Sequence, residues 1–293
     1  MRKINAEKAY QWLSICVITV ISLLSLYPLL YVVSMSLVHE QEWIKKGGFI
    51  LWPDSPTLIA YKRLFNGPII LHALGISVLK TIVGTIVVIV MTTITAYAVS
   101  RSGLPGGRLL LFGVVVTILF NGGLVPTYLV IKELHLLNSF WVFVIPVAID
   151  SWSVLVLKQF FANIPKEIEE SARMDGIGEF NLMIRIMVPM AAPALAAISL
   201  FSAVGHWNSW FDALMYIDER NLMPLQLILR NMFVNPQLGF EFNPSQLVNP
   251  TQRVSMESLK MAVAVIGTLP ILCVYPFLQK YFTKGMYLGA VKG

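Results

Sequence analysis

Residues 163–193, from Asn163 to Pro193, read NIPKEIEESARMDGIGEFNLMIRIMVPMAAP. This is the longest charged interval between two long apolar runs. Pro165 suits the first turn of a helix, since its missing N–H would be unpaired there anyway. Glu167, Glu169 and Glu170 follow, where the helix dipole favours negative charge. Ile168 and Ala172, with Leu157 upstream, supply a small apolar stripe. Asp175-Gly176 ends the run, because glycine tolerates the left-handed conformation that closes a helix. Glu179 to Ile186 resumes a helix, and Pro189 leads into the next apolar run. The stretch therefore predicts helix, break, helix at a membrane face. Charge alone fits equally well a solvated loop that merely joins two spans.

The surroundings make the membrane explicit. The chain has 293 residues, 56% apolar and only 13% charged, whereas soluble chains are about a quarter charged. Several apolar runs approach the roughly 20 residues that cross a bilayer. The fold class expected is all-α and integral to the membrane, with six transmembrane helices and both termini cytoplasmic. Residues 1–293 form a single transmembrane domain in this reading. The net charge of +6 is first a topology signal in a membrane chain, and no nucleic-acid motif accompanies it. Cys16 and Cys273 lie in apolar runs without His or Cys at ligand spacing, so neither a metal nor a redox site is expected. Arg2, Lys3 and Lys8 precede an apolar run that is too long for a signal peptide, which reads as a retained first span.

In order, the spans expected are about 12–38, 74–99, 109–131, 140–161, 187–216 and 258–282. Pro28 interrupts the first. Asn121-Gly122-Gly123 and Pro126 loosen the third at mid-membrane, and the fourth contains Pro146 and Asp150. Lys80 is expected to snorkel its ammonium to the outer interface. Two outer loops, about 39–72 and 217–257, carry short interfacial helices near Tyr61–Phe65 and Leu222–Phe233. The basic residues Arg101, Arg108, Lys158, Lys166, Arg173 and Arg185 share the face of the termini. That face is cytoplasmic by the positive-inside rule, and it includes the loop at about 163–186.

Polar groups inside the spans are expensive and usually face the bundle interior or a watery path. The candidates for a substrate path are Asn121, Asp150, Trp152, His206, Trp207, Asn208 and Asp212. Trp, Asn and Asp at a cavity are what sugar recognition uses: flat faces for rings, donors and acceptors for hydroxyls. The plainer alternative is interhelical hydrogen bonding with an aromatic belt. No Walker lysine loop, HExxH or Ser-His-Asp arrangement occurs, so no catalytic residues and no enzyme activity are expected.

Residues Glu170-Ser171-Ala172, Asp175-Gly176 and, after nine intervening residues, Ile186 with Pro189 resemble the EAA motif, E-A-A-x-x-D-G…I-x-L-P, of ABC importer permeases. Ser171, Ile177 and Val188 depart from it by small or apolar swaps. Ala96-Tyr97-Ala98 through Arg101, Phe120-Asn121-Gly122-Gly123, His206-Trp207-Asn208, Pro224-Leu225-Gln226 and Tyr275 to Phe282 extend the resemblance over nearly the whole chain. The family is that of the second permease subunit of type I, maltose-type oligosaccharide importers, in a branch that includes permeases for acidic, alginate-type oligosaccharides. The resemblance implies a multi-pass protein of the bacterial inner membrane and a coupling helix docked on an ATPase through Glu169, Glu170, Ser171, Ala172, Asp175, Gly176 and Pro189. It implies a second, different permease subunit, two ATP-binding cassette subunits that carry ATP-Mg, and a periplasmic or extracellular sugar-binding protein. This chain itself would bind lipid but no cofactor. Alternatives are a permease for a neutral oligosaccharide, peptide or phosphate ester, or an ion-coupled secondary transporter using Asp150 and Asp212. The absence of an internal repeat counts against the last.

Overall fold

The computed structural model describes residues 2–48, 50–101, 103–234 and 254–290, with residues 2–7, 9 and 275–290 as backbone alone. Helices are the regular secondary structure of the described residues, with no strand among them. Among the described residues three helices are long and apolar enough to cross a bilayer: Tyr10–Ser36, Pro68–Ser100 and Met256–Val274. A fourth candidate is a bent pair, Glu179–Met190 and Ala192–Asn208, with an 82° angle between its arms.

By Cα packing the chain divides into two compact units. The first comprises Met1–Ile70 and Leu229–Leu269. In it α1 (Arg2–Ser36) runs through Pro28 without interruption, although the sequence reading placed a break there. The segment after α1 folds back on it. Ser34 Oγ donates to Leu51 O at 2.6 Å and Tyr31 Oη to Gly48 O at 3.1 Å. Met35, Val38 and Ile50 pack into a small core with Tyr31, Trp43 and Met261. Within that segment lie α2 (Glu40–Lys46) and α3 (Ile59–Asn66). Only the second was expected. The charges of α2 mark it in retrospect: Glu40 and Glu42 in its first turn, Lys45 and Lys46 in its last, and Gly47 in the left-handed region at its end.

The second unit comprises Leu71–Ile228 and Pro270–Gly293. Most of α4 (Pro68–Ser100) belongs to it, and the helix starts several residues before the expected Leu74, with Pro68 as its first residue. The expected third span is two helices, α5 (Gly107–Leu119) and α6 (Leu124–Glu133). They part at Phe120–Gly123, where Asn121 Oδ1 accepts from Gly123 N at 2.8 Å and Gly123 has φ +85°. The expected fourth span is not one helix. A 3-10 turn (Phe140–Phe143) and an irregular stretch precede α7 (Ser151–Ala162). Pro146 cannot donate to an α-helical ladder, and Asp150 caps the helix that follows by accepting from Ser153 N at 3.0 Å.

After α7 come α8 (Lys166–Met174) and α9 (Glu179–Leu182), then a π-helical turn (Met183–Met187) and α10 (Val188–Met190). Next is α11 (Ala192–Asn208). Pro193 has no N–H to give the carbonyl of Pro189, and the chain turns at Ala191 instead. Beyond Ser209 and Trp210 lie α12 (Phe211–Tyr216) and α13 (Leu225–Val234). The last helix, α14 (Met256–Ala290), absorbs the expected sixth span and most of the expected tail. The part of the 217–257 loop at 235–253 lies outside the described residues.

Candidate functional site

Two places in the second unit collect the residues that the sequence singles out. The first is the loop after α7. Pro165 is the residue before the first helical turn of α8, one position earlier than the sequence implied. At the other end Ile177 N donates to Ala172 O at 3.1 Å and Gly176 N to Arg173 O at 3.0 Å. That pair of bonds is a Schellman closure, and Gly176 has the φ of +80° it requires. Ala172 faces inward and joins a core with Leu157 and Phe161 of α7, Ala96 and Tyr97 of α4, and Leu182 and Met187 farther along the chain. Burying each of the larger side chains contributes about 1.5–3 kcal/mol, so the loop is seated rather than solvated all round.

Polar ties reinforce the seat. Arg101, just past α4, bonds Glu169 through Nη1 and Oε2, and its guanidinium lies 4.2 Å over the Tyr97 ring. Tyr97 Oη donates to Glu179 Oε2 at 2.6 Å, and Arg173 pairs with the other oxygen of Glu179 at 2.5 Å. Arg101 Nε and Nη2 are buried without a hydrogen-bond partner among the described residues. The loop's outer face is different in kind. Glu170, Ser171 and Asp175 are exposed, as are the apolar side chains Met174 (88%) and Phe180 (69%). Pro189 is exposed too, at the bend into α11.

The second place is a cavity of about 400 Å³ among α4, α7, α11, α12 and the stretch before α7. Asp150, Trp152, His206 and Asp212 line it together with Ser153, Ser202 and Ser209. Asp150 Oδ2 accepts from the backbone N–H and the hydroxyl of Ser153. Asp212 sits where α11 gives way to α12, and its Oδ1 accepts from Ser209 Oγ at 2.6 Å and Ala213 N at 2.9 Å. Its Oδ2 accepts from Lys80 Nζ at 2.7 Å. Lys80 also donates to Ser209 O at 3.1 Å and lies 4.5 Å from the Phe143 ring centroid.

Lys80 therefore does not snorkel to an interface. Its side chain is 0% exposed and it neutralises Asp212 from behind the cavity wall. A buried ammonium is tolerable only when paired and hydrogen-bonded, and the broken end of α11 supplies both a carbonyl and a carboxylate. The other candidates lie apart from the cavity wall. Asn121 closes the turn between α5 and α6, and Asn208 is exposed at the end of α11. Trp207 lines a separate, almost wholly apolar cavity with Val78, Ile82 and Phe201.

The chain's relatives agree with this architecture. A family model described as a binding-protein-dependent transport system inner membrane component matches residues 6–287. The chain belongs to this family. It is a family of transport permeases and not of enzymes, and the resemblance read in the sequence is borne out. Over its whole length the permease is 38% identical to the protein LplC of Bacillus subtilis, covering 98% of that protein. It is 39% identical to the polygalacturonan/rhamnogalacturonan transport system permease protein YtcP of the same organism, over 93% of this chain and 94% of that one. A chain in the crystal structure of a bacterial ABC transporter involved in the import of the acidic polysaccharide alginate superposes with a TM-score of 0.87 at 28% identity, covering 94% of the permease and 98% of that chain.

Four residues of the permease's two sites went unassigned in the sequence. Arg101 and Tyr97 stand in the Ala96–Arg101 segment that carried part of the resemblance, so their positions were visible while their role was not. Glu179 was read only as a helix start. Lys80 was read as an interfacial charge, because its partner lies 132 residues away and no local pattern reports that distance.

Proposed function

We propose that this permease is one of two different transmembrane subunits of an ATP-driven, binding-protein-dependent importer of oligosaccharides, and that its substrates are acidic. In this reading six spans cross the membrane, with both termini and the 163–186 loop in the cytoplasm. The broken pairs α5–α6 and the 140–162 stretch count as one span each. Two ATP-binding cassette subunits carry ATP-Mg below, and a sugar-binding protein delivers the substrate above. The names of the relatives support the solute class: one transports polygalacturonan and rhamnogalacturonan, and another structure imports alginate.

The observation that carries the coupling role is the two-sidedness of the loop. Its inner face is buried in the core and tied to the end of α4 through Arg101–Glu169 and Tyr97–Glu179. Its outer face presents Glu170, Met174 and Phe180, an acidic and apolar surface suited to a protein partner. A push on that surface reaches α4 directly. The ion-coupled alternative loses one of its carriers, since Asp212 is held by Lys80.

Two substitutions test the assignment. Glu170→Lys reverses charge on the exposed face. Gly176→Val has open space around it, so its whole effect is the positive φ, which a β-branched residue scarcely tolerates. Both variants should insert and assemble while uncoupling ATP hydrolysis from uptake. Normal sugar-stimulated ATPase and uptake in both, with the complex assembled, would remove the coupling role.

A further inference from the structure

Among the described residues the one uncompensated charge on the cavity wall is negative, the carboxylate of Asp150. Its titratable groups are Asp150, Asp212 and His206, and neither lysine nor arginine lines it. Lys80, the cation behind the wall, is fully buried and engaged by Asp212, the carbonyl of Ser209 and the Phe143 ring. Asp150 uses one oxygen for the Ser153 cap, and Oδ1 has no protein partner among the described residues. Ser202, on the same wall, has a buried hydroxyl with no hydrogen-bond partner among the described residues. Trp152, at the edge of the same cavity, is 56% exposed, and Phe143 and Phe201 supply further apolar wall.

A carboxylate entering this space meets the uncompensated charge of Asp150 and no accessible cation, since Lys80 is already spent on Asp212 behind the wall. A hydroxyl meets Asp150 Oδ1 and the Ser202 hydroxyl, and the C–H face of a sugar ring meets the Trp152 plane. Small-molecule sites have this make-up, mostly apolar walls with a few placed polar groups. We propose that this cavity is a subsite for the uncharged, hydroxyl-bearing edge of the transported sugar. Asp150 and Ser202 are its hydrogen-bonding groups, Trp152 is its stacking face, and the wall turns carboxylates away. The inference rests on the oligosaccharide reading above and divides the work: uronate carboxylates are held elsewhere along the path, not by this wall. Lys80 acts here as a positioning residue, holding Asp212 and the broken end of α11.

The variant that isolates charge is Asp150→Asn. Asparagine caps a helix about as well as aspartate, so α7 keeps its N-terminus while the wall loses one negative charge. The complete importer, with both permeases, the ATPases and the binding protein, is reconstituted in proteoliposomes. Uptake is measured for a uronate oligomer and for its carboxyl-reduced, neutral counterpart. Asp150→Asn should raise the uronate-to-neutral ratio of kcat/KM by roughly threefold to tenfold. Trp152→Ala should raise KM for both sugars by several-fold, given the worth of aromatic contacts, and Trp152→Phe should recover most of it. The ratio is blind to how much complex assembles, so a general loss of folding does not imitate the result. A wild-type complex that carries neither oligomer overturns the oligosaccharide reading and this inference with it. A wild-type complex that carries them, with an unchanged ratio in Asp150→Asn and an unchanged KM in Trp152→Ala, overturns this inference alone.

Discussion

A Cβ added at Gly84 would stand 2.5 Å from Cε1 and Nε2 of His206. The imidazole occupies the space that the missing side chain leaves, and this close approach lets α4 and α11 carry His206 to the cavity between them. Gly84→Ala should destabilise the permease by about 1–3 kcal/mol, the usual cost of overpacking a filled core, and should displace the ring. Thermal unfolding of the purified protein checks the first effect. Lys80 presents a sharper case. Lys80→Met leaves Asp212 partly buried and uncompensated, which costs about 3–5 kcal/mol, whereas replacing both partners with apolar residues is often nearly neutral. Lys80→Met should therefore lower the unfolding temperature well below that of the Lys80→Met/Asp212→Leu double variant. Equal temperatures for the two would mean that the pair is not the tie between α4 and the start of α12.

Single elements show where sequence reasoning reached and where it stopped. The helix-break-helix of 163–186 was legible because each signal is local: a proline at the start, acids in the first turn, a glycine at the closure. The break at Phe120–Gly123 was legible for the same reason. The disruption before α7 was not, because Phe140 to Ile149 is nearly all apolar. Hydropathy reports composition, and a 3-10 turn followed by irregular chain has the same composition as a buried helix. Proline gave opposite results in two places, since α1 tolerates Pro28 within a long helix while Pro193 stands at a bend of 82°. In α2 the chemistry is local again. Burial pushes the Glu42 carboxyl up, but the Asp54 N–H and the Lys46 ammonium outweigh it and hold its pKa below the usual carboxylate range. A carboxyl whose pKa is depressed by folding stabilises the fold above its unfolded value, about 4.3 for glutamate. That stabilisation drains away as pH falls through the folded value. Glu42→Gln should therefore lower stability at neutral pH and flatten its decline below about pH 4.3, as acid titration of the unfolding temperature would read out.

At the scale of the whole molecule the coupling proposal turns on sidedness. The positive-inside argument puts the 163–186 loop in the cytoplasm and the 39–72 loop outside. The coupling proposal requires that assignment, because an ATPase reaches the loop only from within. Asp54 and Glu179 test it. Asp54 is 74% exposed by side chain, gives its backbone N–H to Glu42 and, among the described residues, pairs its carboxylate with the half-exposed Lys46 alone. Glu179 is 55% exposed and stands in the loop itself. The two native cysteines, Cys16 and Cys273, are both exposed and free, so each must first become serine. On that background Asp54→Cys in intact cells should label with a membrane-impermeant maleimide, and Glu179→Cys should label only after the membrane is opened. Glu179→Cys also removes the acceptor of Tyr97 and Arg173, so a second cysteine at the exposed, unburdened Met174 guards against a local rearrangement. If both loop cysteines label from outside, the chain is inverted and the exposed face of α8 has no ATPase to meet.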